Sequence, residues 1–499
     1  MYKRVIFFLL TTILIIFTAS CSKKAEQVVI PVSVPDPVFS ATPDTLKFTA
    51  AGGNDTLTVK MNGLKWEVSS NQTWVVLSFS SSSKAIDKLV ITTSTNTTGI
   101  TRTAILTLIM DYKTVIHVNV SQLSASMTIT YPGYKDSIPP DATGMSSTAM
   151  EISKNIKIGW NIGNTLESIG GETNWGNPMV TNEFIKLVKQ SGFNAIRIPC
   201  SWNQYADQTT AKISDSWLNR VKQVVQFCVN NDMYVILNIH WDGGWLENNC
   251  TEAKKVENNA KQKAFWEQIA TTLRDFDEHL LLASANEPNV SDATQMAVLL
   301  SYHQTFINAV RSSGGKNSYR VLVVQGPMTD IETTNKLMTQ LPTDKIPNRM
   351  MAEIHYYTPW NFTGMTKDET WGNMAYYWGK DFHSSADAAH NSTWGEEAEV
   401  DRLFLLMKSQ FVDKGIPVII GEFGAMRRDN LTGDALKLHL ASRAFYLKYI
   451  TKQANTNGLL PFYWDNGGLN NLGSGIFDRT KNTVFDQQSL DALIQGVTK

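Results

Sequence analysis

From residue 151 onward, the chain alternates short apolar segments with amphipathic helical segments, and this alternation constrains the fold most strongly. Eight apolar segments have the length and composition of buried strands: 157–163, 194–199, 234–240, 280–285, 320–326, 351–357, 417–423 and 459–465. Between them, segments such as 181–192, 214–232 and 260–276 repeat apolar residues at the three- and four-residue spacing of an amphipathic helix. Strands that alternate with helices in this way predict an α/β fold, a closed (β/α)8 barrel over 151–499.

A doubly wound open sheet is the alternative architecture for the same alternation. Sheets of that kind usually carry a G-x-G-x-x-G turn directly after the first strand. The stretch in that position here is GWNIGNTLES, residues 159–168, and its glycines do not have that spacing. The sequence therefore favours the closed barrel.

Residues 37–124 have a different pattern, in which short alternating runs rich in Ser, Thr and Val are separated by Gly and Asn. Short strands with frequent turns predict an all-β sandwich. The runs KWEVSSNQTWVVLS, TRTAILTL and VNVSQL resemble the BACON domain, an immunoglobulin-like module of Bacteroidota surface proteins. The family's name suggests carbohydrate binding, and a spacer is the other interpretation. Trp66 and Trp74 lie within strand patterns, which favours core packing and the spacer.

The first residues form a targeting segment. Lys3 and Arg4 precede an apolar run at 5–19, which is short for a membrane span of about 20 residues. A basic start followed by a short apolar run and small residues predicts a secretory signal peptide over 1–21.

The end of that segment resembles a bacterial lipobox, with Ser20 directly before Cys21 and Thr18 where leucine is usual. The resemblance implies a lipid on Cys21, which would attach the chain to a membrane. Residues 22–36 would then form a tether, and the polar segment 125–150 would link the sandwich to the barrel. We therefore expect an outer-membrane lipoprotein, on the cell surface or on the periplasmic face.

Charge and cysteine usage argue against two classes of function. The chain has 45 basic and 46 acidic residues, and this balance is not that of a nucleic-acid-binding protein. Cys200, Cys228 and Cys250 form no C-x-x-C pair and no cluster with zinc spacing. The cysteines therefore give no reason to expect a metal site. A monomer is expected, and the two-carboxylate chemistry described below needs no metal or other cofactor.

Polar and aromatic residues lie at the ends of six of the eight predicted strands. In a (β/α)8 barrel the carboxyl ends of the strands open onto one mouth, where active sites lie. Six strands that end in this way are hard to explain by packing alone. The residues are Arg197, His240, Asn286, Glu287, His355, Tyr357, Glu422 and Trp464.

Two of these residues are glutamates, Glu287 after the fourth predicted strand and Glu422 in the seventh. Cleavage of a glycosidic bond needs two carboxyl groups across a cleft, one as a proton donor and one as an ionised nucleophile. Arg197 near Glu422 would keep the nucleophile ionised, and repulsion from that charge would keep Glu287 protonated. A retaining enzyme would hold the two carboxyl groups roughly 5–5.5 Å apart.

Seven segments of the predicted barrel resemble glycoside hydrolase family 5, formerly cellulase family A. They occur in family order as GWNIGNTLE, IRIP, NIHWDGGW, ANEP, EIHYYTPWNFTG, IIGEFGA and FYWDNGG. The first and the fifth resemble subfamily 4 of this family. The resemblance covers about residues 150–495 and has no departure at the catalytic positions.

The resemblance implies Glu287 as the acid/base and Glu422 as the nucleophile. It implies the following roles around them: Asn286 binds the sugar 2-hydroxyl, Tyr357 hydrogen-bonds the nucleophile, His355 lies beside the acid/base, Arg197 orients Glu422, His240 lines the cleft, and Trp464 stacks under the sugar. Further sugar contacts are expected from the first loop and from a later loop, at Asn161, Asn164 and Trp360.

The resemblance also implies the activity, a retaining endo-β-1,4-glucanase that acts on a polysaccharide. Xyloglucan is the first expectation, because a lipoprotein with a BACON domain resembles endo-xyloglucanases. Mixed-linkage β-glucan and cellulosic glucans are the alternative substrates. A catalytically silent glycan-binding lipoprotein is the alternative from another class, and the presence of both glutamates counts against it.

Overall fold

The computed structural model of the chain describes residues 38–124 and 130–498. Their contacts form two compact units. One consists of residues 38–95 and 102–122, and the other of the remaining described residues. Each unit has its own buried hydrophobic cluster.

The signal peptide predicted at 1–21, with Cys21, and the tether at 22–36 lie outside the described residues. So do the first five residues of the predicted linker, 125–129. In the part of the chain that is described, no helix is both long enough and apolar enough to span a bilayer.

The first unit is the predicted β-sandwich. Its strands are β1 (Phe39–Thr42), β2 (Thr45–Phe48), β3 (Gly53–Met61), β4 (Trp66–Ser70), β5 (Val75–Leu77), β6 (Ser81–Ser82), β7 (Ile86–Thr93), β8 (Arg102–Met110) and β9 (Thr114–Gln122). They form two sheets, ordered β1-β3-β7-β5 and β2-β9-β8-β4-β6. Leu57, Trp66, Leu89 and Leu106 are fully buried between them, because alternate residues of each strand face inward.

Residues 130–148, predicted as part of a linker, belong to the second unit. Strand β10 (Ile138–Pro140) pairs with residues 314–315, and the backbone N–H of Tyr134 donates to Glu267 at 3.1 Å. Gly314 has φ +72°, and a Cβ there would lie 1.8 Å from the carbonyl oxygen of Ile138. The linker prediction is therefore wrong for these residues, because polar composition and prolines do not exclude backbone pairing with a distant glycine turn.

The second unit contains the predicted (β/α)8 barrel. After β10 its strands are β11 (Gly159–Ile162), β12 (Ala195–Ile198), β13 (Tyr234–Asn238), β14 (Leu280–Ala283), β15 (Gly314–Gly315), β16 (Leu322–Gln325), β17 (Met350–Tyr356), β18 (Val418–Phe423), β19 (Leu459–Asp465), β20 (Phe477–Asp478) and β21 (Thr483–Val484). Strands β11–β14 and β16–β19 close into a parallel barrel in chain order. All eight predicted barrel strands are confirmed.

The α-helices are α1 (Ala149–Asn155), α2 (Asn182–Gln190), α3 (Asp215–Asn230), α4 (Lys255–Leu273), α5 (Ala293–Ser312), α6 (Ile331–Leu337), α7 (Trp360–Thr363), α8 (Glu397–Gln410), α9 (Gly433–Asn457) and α10 (Gln487–Val497). Helices α2 and α3 begin after Thr181 and Ser214, whose side chains cap the helix N-terminus. Helix α4 begins five residues before its predicted start, since polar residues fill its first turn.

The barrel interior changes from apolar to polar along the strands. Ile152 of α1 packs with Ile236, Leu281 and Met351, which lie toward the start of their strands. Residues two positions further along the same faces include Asn238 and Glu353. The interior thus has an apolar base and a polar layer under the mouth where the candidate site lies.

Candidate active site

The predicted strand-end residues meet at the mouth of the barrel around one cavity of about 300 Å³, called here the central cavity. Five of the residues predicted from the sequence line it: Glu287, Tyr357, Trp360, Glu422 and Trp464. Arg197, Asn286 and His355 are buried directly behind the two glutamates. Strands from different parts of the chain therefore assemble a single polar site.

Glu422 is held at both carboxyl oxygens. Nη1 of Arg197 donates to Oε1 at 2.9 Å, and the Tyr357 hydroxyl donates to Oε2 at 3.0 Å. Burial raises the pKa of Glu422 above its ordinary value, and the charge of Glu287 adds to this, although the positive charges of His355 and Arg197 oppose it. Two donors on the two oxygens form the arrangement that suits an ionised carboxylate.

Arg197 is fully buried and connects most of the site. Its Nη1 also donates to Asn161 at 3.1 Å, and its Nη2 donates to Oδ1 of Asn286 at 2.7 Å. Its Nε lies 2.9 Å from Oε1 of Glu353 in an ion pair. A planar guanidinium with this many fixed partners has no other orientation available.

Glu287 pairs with His355 at 2.7 Å, from Nδ1 to Oε1, and its side chain is 43% exposed. Burial lowers the pKa of His355, but the charges of Glu422, Glu287 and Glu353 raise it to about 10. The imidazole is therefore a cation that donates to Glu287 and faces Glu353 through Nε2 at 3.3 Å.

This geometry corrects the expected electrostatics of Glu287. Repulsion from Glu422 was expected to raise its pKa. Partial burial does raise the pKa of Glu287, but the hydrogen bond and the charge of His355 lower it below its ordinary value. The proton of the Glu287–His355 hydrogen bond therefore lies on the imidazole.

The two carboxyl groups approach each other closely. An oxygen of Glu287, an oxygen of Glu422 and a ring nitrogen of His355 all lie within 4.8 Å of one another. This separation is close to the roughly 5–5.5 Å of retaining glycosidases and well short of the 6.5–9.5 Å, approximately, of inverting ones.

The same three groups are not suited to hold a metal ion. A cation would need a lone pair on the imidazole. Both ring nitrogens of His355 face carboxylates, and its pKa of about 10 keeps both of them protonated at neutral pH. The donor set fits proton transfer better than coordination.

His240 and Trp464 form an aromatic wall. Their ring centroids are 5.8 Å apart with planes 9° from parallel. Burial and the charge of Arg197 hold the pKa of His240 well below its usual value, so the ring is neutral. Trp464 reaches this position because Gly163 leaves room for it; a Cβ there would lie 3.0 Å from the indole.

Two residues predicted to contact sugar from the first loop are placed differently. Asn161 is fully buried, and its amide donates to the carbonyl of Gly421 at 2.9 Å while its oxygen accepts from Arg197. It supports Arg197 from below and does not reach the cavity. Asn164 lies in a turn with φ +57°, where its backbone N–H donates to Glu167, and it is not among the residues that line the central cavity.

Glu353 is the main site residue that was not predicted. It is fully buried, its Oε1 faces both Arg197 and His355, and its Oε2 accepts from Gln325 at 2.6 Å. Gly421 makes this approach possible, since a Cβ there would lie 2.0 Å from Oε1 of Glu353. Its position two residues before His355 puts both side chains on one face of β17, and that spacing could have identified it.

Glu247 is a second residue that was missed. Its Oε1 accepts the backbone N–H of Glu287 at 2.8 Å. Burial raises the pKa of Glu247 to about 7. It lies in the loop after β13, and only the folded loop brings it beneath Glu287.

A family model for cellulase, glycosyl hydrolase family 5, matches residues 161–470. A model for the BACON family, described as an N-terminal binding domain, matches residues 64–123. Among curated proteins, the chain is 36% identical to the xyloglucan-specific endo-beta-1,4-glucanase BoGH5A of Bacteroides ovatus, over 91% of this chain and 90% of that protein.

Two solved structures extend the comparison. The Bacteroides ovatus GH5 xyloglucanase in complex with a XXXG heptasaccharide aligns with a TM-score of 0.68 and 33% identity, over 92% of this chain and 100% of that one. XEG5B, a GH5 xyloglucan-specific β-1,4-glucanase from a ruminal metagenomic library in complex with XXLG, aligns with a TM-score of 0.65 and 38% identity, over 70% and 96%. With its paired glutamates on a (β/α)8 barrel and these matches over most of its length, the chain belongs to glycosyl hydrolase family 5.

Proposed function

We propose that this protein is a retaining endo-β-1,4-glucanase that hydrolyses xyloglucan, with Glu422 as the nucleophile and Glu287 as the acid/base. The observation that carries the proposal is the pair of carboxyl groups within 4.8 Å in one cavity at the barrel mouth. A pair at this distance leaves no room for a water molecule between carboxylate and sugar, so the carboxylate itself attacks.

In the first step an oxygen of Glu422 attacks the anomeric carbon and the bond to the leaving sugar breaks. Arg197 and Tyr357 hold the carboxylate through hydrogen bonds at 2.9 and 3.0 Å. Before the attack, these two hydrogen bonds fix the orientation of the carboxylate. As negative charge leaves the carboxylate during the attack, both hydrogen bonds weaken, so they do not prevent it.

The leaving oxygen takes its proton from Glu287. A bound sugar would exclude water from the half-exposed Glu287, and that desolvation raises the carboxyl pKa. The proton on Nδ1 of His355 then shifts along the 2.7 Å hydrogen bond to Glu287. In the second step Glu287 accepts a proton from the water that releases the sugar from Glu422.

Three further residues would hold the sugar. Trp464 lines the cavity and offers a flat apolar face for a pyranose ring. His240 stacks beside it as a neutral hydrogen-bonding group. Asn286 is held by Arg197 through Oδ1 and by a hydrogen bond from its amide to Glu247, which leaves one amide N–H for the 2-hydroxyl.

Xyloglucan is proposed because the relatives that match about nine tenths of the chain are named for it, as is XEG5B, whose structure was solved in complex with an oligosaccharide. The test is reducing-sugar release from tamarind xyloglucan, barley β-glucan, carboxymethylcellulose and galactomannan, with Glu422→Gln as the control. We expect the fastest release from xyloglucan, none from the variant, and no change after addition of EDTA.

Two other results would change the proposed substrate or the proposed function. Release mainly from barley β-glucan or carboxymethylcellulose would retain both glutamates in their roles and replace xyloglucan by another β-glucan. No release from any polymer, with binding intact, would favour a silent glycan-binding protein.

We further propose that the chain is an outer-membrane lipoprotein attached through Cys21. The support is the basic start, the apolar run at 5–19 and the lipobox-like residues before Cys21. Incorporation of labelled palmitate, lost in Cys21→Ala, is the expected result. Sensitivity of intact cells to added protease would separate the cell surface from the periplasmic face.

A further inference from the structure

A second cavity adjoins the central cavity at the one-turn helix α7. Pro359 and Asn361 line the second cavity, whereas Trp360 and Thr363 line the central one. Its volume is about 560 Å³, within the range of about 300–1,000 Å³ that is usual for ligand sites. A chain molecule bound across Trp360 therefore has a second concave surface directly beside it.

Two exposed indoles line this second cavity, Trp371 at 63% and Trp394 at 51% exposure. Trp394 is fixed, since its Nε1–H donates to Oδ1 of Asn361 at 3.2 Å and the Asn361 amide donates to the carbonyl of Asn373 at 2.7 Å. Exposed tryptophans held in place at the rim of a cavity are typical of a binding surface.

The other lining residues define the chemistry of the ligand. They carry no acidic or basic side chain, and several offer an amide or a hydroxyl group: Asn361, Asn373, Asn391 and Thr393. A phosphate or a charged peptide would find no opposite charge here, whereas a neutral ligand with many hydroxyl groups would find amides, hydroxyls and indole faces.

We propose that Trp371 and Trp394 form an accessory sugar-binding cleft that holds a pyranose residue of the polysaccharide, beyond the sugars on which Glu287 and Glu422 act. The apolar face of the pyranose stacks on an indole, and its hydroxyl groups reach Asn373 in the cavity wall. This inference rests on the proposed function, because the occupant is part of the same substrate.

The kinetic test compares the parent enzyme with Trp371→Ala, Trp394→Ala and the double variant on xyloglucan and on a short aryl β-cellobioside. We expect KM for xyloglucan to rise roughly three- to tenfold for each tryptophan replaced, because each substitution removes one aromatic contact with the sugar. The kcat on the polymer and all constants on the aryl substrate stay unchanged, because only binding remote from the bond is lost. Trp371→Phe should restore most of the affinity.

The control is Phe485→Ala, which removes an exposed ring of the same unit that lines neither cavity. An unchanged KM for xyloglucan in the double variant would overturn the proposal. An equal loss on both substrates would also overturn it, since it would place the damage in the central cavity.

A binding measurement separates this proposal from the function itself. In the Glu422→Gln background, xyloglucan in a native gel should retard the protein, and the two tryptophan substitutions should remove most of that retardation. If the parent enzyme hydrolyses no glucan but retardation still depends on both indoles, the proposed function fails and the cleft stands. If the enzyme hydrolyses xyloglucan and neither tryptophan substitution changes the retardation, the accessory cleft is rejected and the proposed function stands.

Discussion

The β-sandwich and the barrel use aromatic side chains in opposite ways. The sandwich buries Trp66 completely in its core, and Arg102 covers the ring of Trp74 at 4.4 Å. Among the exposed large hydrophobic residues of its described strands and turns, Tyr112 is the aromatic one. The barrel unit exposes five tryptophans: Trp175, Trp241, Trp360, Trp371 and Trp394.

The two units also differ in whether they bury charged side chains. The buried polar residues of the sandwich unit are neutral, Thr93 and Gln122, whereas the barrel unit buries Arg197, Glu353 and Glu422 together. Burial of charge is costly unless the groups are paired, and it recurs where chemistry needs shifted pKa values. The comparison assigns chemistry and recognition to the barrel and favours a spacer role for the sandwich.

The largest effect should come from the glutamates of the barrel. Glu422→Gln and Glu287→Gln are expected to lower kcat on xyloglucan by about 10³-fold or more. The first removes the group that forms a bond to the sugar, and the second removes the group that transfers the proton. Glu332→Gln, at an exposed glutamate paired with Arg402 on the same unit, is the matched control and should keep full activity. Loss of activity in Glu332→Gln, or full activity in Glu422→Gln, would contradict the assignment.

Glu353→Gln should have the next largest effect. Without that charge, buried Arg197 and His355 lose the carboxylate that positions both. We expect kcat to fall about 100-fold and stability to fall by about 3–5 kcal/mol. The alkaline limb of the pH–rate profile should move to lower pH, since Glu353 helps to raise the pKa of His355. If Glu353→Gln lowered the melting temperature but left kcat and the pH profile unchanged, Glu353 would have a structural role only.

The sandwich should tolerate damage without loss of catalysis. Trp66→Ala is expected to destabilise that unit by about 3–5 kcal/mol through the cavity it creates, while kcat on dissolved xyloglucan stays roughly unchanged. Calorimetry with activity measured below the transition checks both. Leu64→Ala, at an exposed side chain of the same unit, should alter neither. If Trp66→Ala abolished binding of xyloglucan, the spacer interpretation would fail.

A smaller effect should appear in the pH dependence of stability. The folded pKa of His355, about 10, lies above its ordinary value of 6.5. Its stabilising contribution is therefore complete below pH 6.5 and is lost as the pH rises toward 10. The difference in melting temperature between the parent and His355→Gln should narrow over this range. A difference that stayed constant between pH 6.5 and 10 would contradict the raised pKa of His355.

The sequence by itself determined the fold class and predicted which residues take part in the chemistry. The strand and helix periods of residues 151–499 specify eight β/α units, because each period decides which face of an element can be buried. Closure of those strands then forces Glu287 and Glu422 to one mouth. The tetrad of Arg197, Tyr357, Glu287 and Glu422 followed from strand ends and from family motifs.

Only the tertiary structure decided how the charges interact. Glu353 and Glu247 sit in a buried strand face and in a loop, and their importance depends on what lies across the barrel from them. The protonation of Glu287 depends on the 2.7 Å contact with His355 rather than on the presence of Glu422. Likewise, Asn161 is buried, accepts a hydrogen bond from Arg197 and does not line the central cavity. Electrostatic interactions depend on distance and burial, which a linear pattern does not contain.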